Sequence, residues 1–176
     1  TLVIVAGRPS MGKTTFAINL TERLAVGQQR AVAFFSLEMS QQQIRQKFLA
    51  LRSGIPTTKI RRPAQWTQAD WDKINIAQGE YSHATIQVVD EGVDVVMDVE
   101  AHIARMKVRP EIIVIDHLSY VEPSKEHSTR NDAVGEITKG LKRLAKKLNA
   151  VVILLCQLSR GVEGRQEKRP MLSDLR

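Results

Sequence analysis

Gly7, Gly12, Lys13 and Thr14 stand at the spacing that a phosphate-wrapping backbone loop requires. In Gly7-Arg8-Pro9-Ser10-Met11-Gly12-Lys13-Thr14 every fixed position of the pattern G-x-x-x-x-G-K-[ST] is filled. The glycines let the chain curl until several N–H groups point inward at an anion, and a helix opening behind the loop adds its positive end. Lys13 is placed to reach the β- and γ-phosphates of a nucleoside triphosphate, and the Thr14 hydroxyl to ligate Mg2+. Arg8, Pro9, Ser10, Met11 and Thr15 complete the loop. Leu2-Val3-Ile4-Val5-Ala6 is an apolar run of the buried-strand kind, and residues 15–24 read as the following helix. That context favours nucleotide binding over a glycine-punctuated turn with a chance lysine.

Hydrolysis needs an acid on the metal side and a group that orients water. Asp116 closes an apolar run, so it falls at the carboxyl end of a buried strand, where open α/β sheets bind ligands. An aspartate so placed in a phosphate-loop enzyme holds Mg2+. Glu38 ends the second strand, in Phe35-Ser36-Leu37-Glu38-Met39-Ser40. If the first two strands are near neighbours, Glu38 faces the γ-phosphate and can act as general base. The same position suits a first-turn helix glutamate favoured by the dipole, and both readings stand.

Gln157 follows Leu154-Leu155-Cys156, where a neutral amide can hydrogen-bond a γ-phosphate and report its loss. The loop-like segment behind it carries Arg160, Arg165, Lys168, Arg169 and Arg176 against Glu163, Glu167 and Asp174. A basic loop coupled to a phosphate sensor is one way to grip a nucleic-acid backbone, and a merely solvated loop is the other reading.

The elements that position these groups alternate. Strands are expected at 2–6, 31–35, 85–89, 112–116 and 151–155, and helices at 15–24, about 41–51, 67–79, 95–107 and 130–148. Thr67 caps the third helix, with Trp71, Ile74 and Gln78 on one face. Val134, Ile137, Leu141, Leu144 and Leu148 make one apolar stripe on the last, with Lys139, Lys142, Arg143, Lys146 and Lys147 around it. Those cations read as the solvated outer face of a sheet-packing helix in preference to a DNA-binding face. Strand–helix alternation with continuous apolar strands predicts an α/β fold, a mainly parallel sheet covered on both faces.

The 176 residues suffice for one domain with a single substantial core. A hydrophobic fraction of 43% and a charged fraction of 26% are ordinary for a globular protein, and no apolar run approaches a membrane span. The lone Cys156 excludes an internal disulfide, fits a reducing compartment and reads as buried filler. Net charge of +7 makes a polyanionic partner plausible. The sequence opens inside a strand without a methionine, as a fragment of a longer chain does.

Taken together these residues resemble the motor domain of the DnaB family of bacterial and phage replicative DNA helicases. The motifs Gly7 to Ala17, Phe35-Ser36-Leu37-Glu38-Met39, Ile113-Val114-Ile115-Asp116 and Gln157-Leu158-Ser159-Arg160 follow in family order. Lys168-Arg169-Pro170 with Ser173-Asp174-Leu175-Arg176 is the most specific part, and the resemblance runs over 1–176. It implies a RecA-like fold, a homo-hexameric ring, and ATP- and Mg2+-dependent 5′→3′ movement on single-stranded DNA. It further implies primase and helicase-loader partners and a cytoplasmic location in a bacterial cell, whether host- or phage-encoded. By the same resemblance Glu38 is the general base, Asp116 the Mg2+ aspartate and Gln157 the sensor. Loops holding Lys125, Arg130, Arg160, Arg165, Lys168, Arg169 and Arg176 line the DNA channel. The amino-terminal domain, the last strands and the trans-acting arginine finger are expected outside 1–176.

His117 and Ser119 depart from the pattern, standing where the family more often has tyrosine and glutamine, and Asp90-Glu91-Gly92-Val93 differs from its usual turn. Neither departure is expected to touch the phosphate chemistry. The rivals are another RecA-like DNA-dependent ATPase, against which residues 168–176 speak, and a non-catalytic nucleotide-binding module, against which Glu38 speaks.

Overall fold

The computed structural model describes residues 1–124, 129–158 and 174. In chain order the elements are β1 (Leu2–Gly7), α1 (Lys13–Glu22), β2 (Val32–Ser36), α2 (Gln41–Ser53), α3 (Thr57–Ile60), α4 (Gln68–Ser82), β3 (Ile86–Val89), α5 (Val96–Ala104), β4 (Ile112–Asp116), α6 (Arg130–Leu148) and β5 (Val151–Gln157). All five strands pair in parallel, in the order β1-β5-β4-β2-β3.

The chain crosses the sheet one way from β1 to β3 and returns through β4 to β5. A fixed crossover hand then requires the helices of the return to cover the opposite face. They do. Ile18, Ile44 and Phe48 of α1 and α2 pack on Val32, Phe34, Val114 and Leu155. Val99 of α5 and Ile137, Leu141 and Leu144 of α6 pack on Phe35, Ile113, Ile115 and Leu154 from the other side. Alternate residues of the same strands feed the two layers, which is why β2 and β4 are buried at every position.

This double-sided burial dominates the energetics. A fully buried Phe, Ile or Leu contributes about 1.5–3 kcal/mol, against about 1 kcal/mol for a helix cap such as Ser40 on α2 or Thr67 on α4. The apolar stripe of α6 is buried at Ile137, Leu141 and Leu144, while Lys139, Lys142, Arg143, Lys146 and Lys147 are exposed around it. Cys156 is buried too, and burial pushes its thiol up to about 12, so it is filler.

Three local expectations change. β1 lies at an edge among the described strands and is only partly buried, with Val3 43% exposed, so its apolar run is not that of a central strand. On α4 the buried face is Asp70, Ile74 and Ala77. Trp71 and Gln78 face out, because Asp70 is drawn inward by the Thr67 cap and by Lys59 at 2.7 Å, which rotates the helix. Trp71 instead meets the Trp66 ring edge-on at 4.7 Å. Finally, α1 opens at Lys13 rather than at residue 15. Among the described residues no helix is long and apolar enough to cross a membrane.

Candidate nucleotide site at the strand ends

Register brings four strand ends to one edge of the sheet: Gly7 pairs with Gln157, and Ser36 with Asp116. Their loops enclose a cavity of about 420 Å3 lined by Pro9, Ser10, Gly12, Lys13, Thr14, Thr15, Glu38, Asp116, His117 and Gln157. The sequence motifs therefore converge on a single site, although they span 150 positions of the numbering from Gly7 to Gln157.

The loop geometry explains its glycines. Gly12, at φ 79°, caps α1 in the left-handed region, which costs other residues roughly 1–2 kcal/mol. At Gly7 a Cβ would press on the Lys13 stem at 3.3 Å. The Lys13 ammonium donates to the carbonyl oxygens of Gly7 and Arg8, each at 3.0 Å. Gly7 O also accepts the amide of Leu158 at 3.1 Å, so the loop and the end of β5 share one acceptor.

Opposite the loop, Asp116 is buried, and burial pushes its carboxyl above its ordinary value, while donation from the Thr14 hydroxyl to Oδ2 at 2.5 Å pulls the other way. Asp116 Oδ1 is buried with no hydrogen-bond partner among the described residues. An unmatched buried carboxylate oxygen is costly, and a small divalent cation answers it. The described residues hold no group of three or more His, Cys, Asp or Glu able to cage a metal. Mg2+ needs none, because it takes one or two protein oxygens and completes its shell with phosphates and water. Thr14 and Asp116 fit it.

Glu38 reaches the cavity by a route other than the one expected from the sequence. β1 and β2 are not neighbours, since β5 and β4 lie between them. The loop that carries it is tied to the end of β4, where the backbone amide of Leu37 donates to Asp116 O at 2.7 Å. It precedes the Ser40 cap, so it is a loop residue and not part of the first turn of α2. Its side chain is 51% exposed, so the carboxylate is open to water.

His117 is the site residue that sequence reasoning misses. Expected to stand outside the phosphate chemistry, it lines the cavity and brings Nε2 to 3.3 Å from Glu38 Oε2. A turn of 3-10 helix, Leu118–Tyr120, folds the chain back directly after Asp116 and aims the ring at the β2 loop. The available signal is its place one residue beyond the strand-end aspartate.

The nucleic-acid candidates are a different matter. Lys125, Arg160, Arg165, Lys168, Arg169 and Arg176 lie outside the described residues, and of Arg130 only its place at the start of α6 is described.

A glycine-and-lysine loop between a helix and a strand at the edge of the described sheet, facing an acid at the end of a central parallel strand, defines the phosphate-loop fold class of RecA-like architecture. Within that class, the family described as the DnaB-like helicase C-terminal domain matches residues 1–176, and the chain belongs to it. It is 42% identical to the replicative DNA helicase DnaB of Geobacillus stearothermophilus, over 99% of this chain and 39% of that protein. It is 39% identical to the replicative DNA helicase DnaC of Bacillus subtilis, again over 99% of this chain and 39% of that protein. The chain thus spans about two fifths of the length of these relatives. Among solved structures, a DnaB-like replicative helicase studied with its primase interactions aligns with a TM-score of 0.87 at 35% identity, over 100% of this chain and 43% of the other. A second solved structure, described as an ATPase domain, aligns with a TM-score of 0.88 at 36% identity, over 99% and 63%.

Proposed function

We propose that this chain is the motor of a replicative DNA helicase, which hydrolyses ATP with Mg2+ to move 5′→3′ along single-stranded DNA and open the duplex. The observation that carries it is the gathering of Lys13, Thr14, Asp116, Glu38 and Gln157 around one cavity. The backbone of residues 7–15 wraps the phosphates, and Lys13 turns its charge to the β- and γ-phosphates. Thr14 and Asp116 would hold Mg2+, which would supply positive charge beside the phosphate oxygens. Glu38 takes a proton from the attacking water as the water oxygen bonds the γ-phosphorus. The bond from that phosphorus to the β–γ bridging oxygen breaks, giving ADP and inorganic phosphate. Gln157 donates to the γ-phosphate and links its departure to the segment after β5.

The same reading gives the basic residues Lys125, Arg130, Arg160, Arg165, Lys168, Arg169 and Arg176 to the DNA backbone. It makes the working form a homo-hexamer that engages a loader and, as in the DnaB-like helicase studied with primase, a primase. Its place is the bacterial cytoplasm. ATP turnover by the natural full-length protein, with and without single-stranded DNA, tests the proposal. Turnover that single-stranded DNA stimulates supports it. Turnover indifferent to DNA points to a different ATPase, and nucleotide binding without turnover to a non-catalytic module.

A further inference from the structure

His117 joins the site through Glu38, and its surroundings fix how. The backbone N–H of Ser119 donates to Nδ1 at 3.3 Å, so Nδ1 is the acceptor nitrogen and the ring proton belongs on Nε2. Nε2 faces Glu38 Oε2 at 3.3 Å. Among the described residues no other ion pair or side-chain hydrogen bond of Glu38 is seen, and its side chain is 51% exposed. The ring is more enclosed: the His117 side chain is 8% exposed, and Tyr120 lies against it with 5.0 Å between ring centres. The two loops are also joined directly, since the Leu37 amide donates to Asp116 O at 2.7 Å. A buried ring nitrogen thus stands 3.3 Å from an exposed carboxylate at the mouth of the phosphate cavity, within charge-pair range and short of an aligned hydrogen bond.

We propose that His117 is a positioning residue for hydrolysis, its Nε2–H holding the Glu38 carboxylate at the angle from which it takes the proton of the attacking water. The proposal rests on Glu38 being the general base. A carboxylate left free to rotate spends much of its time misdirected, and a misplacement of about 1 Å at a reacting group costs up to about 100-fold in rate. The effect falls on turnover and not on nucleotide binding, because Nδ1 is taken by the Ser119 amide and Nε2 stands beside Glu38.

The test compares His117→Phe and His117→Gln, each with Glu38 intact and with Glu38→Gln, in the natural full-length protein. Phenylalanine keeps the ring against Tyr120 but removes the donor, and the glutamine amide restores a donor at comparable reach. His117→Phe is expected to lower kcat by about 10- to 100-fold with KM and nucleotide affinity within about twofold. His117→Gln is expected to recover most of the loss, and His117→Phe to add nothing once Glu38 is glutamine, because coupled residues are not additive. Thermal melting and nucleotide binding separate a misfolded variant from an active-site effect. Wild-type kcat in a folded His117→Phe, a loss that glutamine does not rescue, or a loss of equal size in the Glu38→Gln background overturns the proposal. A raised nucleotide Kd in His117→Phe also overturns it, in favour of direct phosphate contact. Glu38→Gln alone with near-normal turnover overturns instead the reading on which the proposal stands.

Discussion

Thr14 and Asp116 are 102 residues apart in the chain, yet the threonine hydroxyl donates to the aspartate at 2.5 Å. One sits in the first turn of α1 and the other closes a central strand, so the pair measures how well the sheet is assembled at its functional edge. Asp116→Asn keeps an acceptor for Thr14 but removes the charge. Turnover should fall about 100-fold or more, and Mg2+ should no longer tighten nucleotide binding. Calorimetric nucleotide titrations with Mg2+ and with a chelator check this; equal Mg2+ enhancement in wild type and variant would refute the assignment.

Lys13→Ala should weaken nucleotide binding by about 10- to 100-fold, the scale of losing a charged hydrogen bond to phosphate. The fold should be unaffected, because among the described residues the lysine's hydrogen bonds go to the carbonyls of Gly7 and Arg8 alone. Nucleotide affinity and the melting temperature of the nucleotide-free protein are the two readouts. A large drop in melting temperature would show the lysine to be a structural clasp.

Glu38→Gln should retain ATP binding while losing about 100-fold or more in turnover, the usual scale for a general base. Single-turnover hydrolysis isolates the chemical step. Near-normal rates there would reduce Glu38 to a polar loop residue.

Asp70 provides a pH test away from the site. The Lys59 ammonium beside it, with the Thr67 backbone and hydroxyl, holds its carboxyl down at about 2 from an ordinary 3.8. Lowered in the fold, such a group adds stability above its unfolded value and loses it as the pH falls through the folded one. Asp70→Asn should therefore melt lower than wild type at about pH 7, with the gap shrinking below about pH 4. A gap constant across that range would mean that the carboxylate charge adds nothing.

How much of this is legible in the sequence depends on distance along the chain. The phosphate loop is, because glycine spacing, lysine and threonine lie within eight positions and act mostly through local backbone. Asp116 and Gln157 are, because a continuous apolar run marks a buried strand and the residue closing it sits at the sheet edge. Apart from the family resemblance, Glu38 is placed at the site from sequence through an adjacency of β1 and β2 that the strand order does not have, since order is settled by pairing across the whole chain. His117 escapes because its position depends on the fold of a short turn that aims one ring at another loop. Periodicity assigns Trp71 inward, and it loses to the cap and ion pair of Asp70.

The shared acceptor at Gly7 has a consequence for how readily the loop can act. A carbonyl oxygen has two lone pairs, and here they serve Lys13 and the Leu158 amide. When the lysine turns toward a phosphate, Gly7 O keeps one donor. The penalty of about 1–3 kcal/mol for an orphaned buried acceptor is never incurred. The other carbonyl it releases, that of Arg8, is in contact with solvent, which supplies a replacement. Lys13 can thus change partners without leaving either carbonyl unpaired, because the Leu158 amide, directly after the strand that ends at Gln157, stays on the Gly7 oxygen.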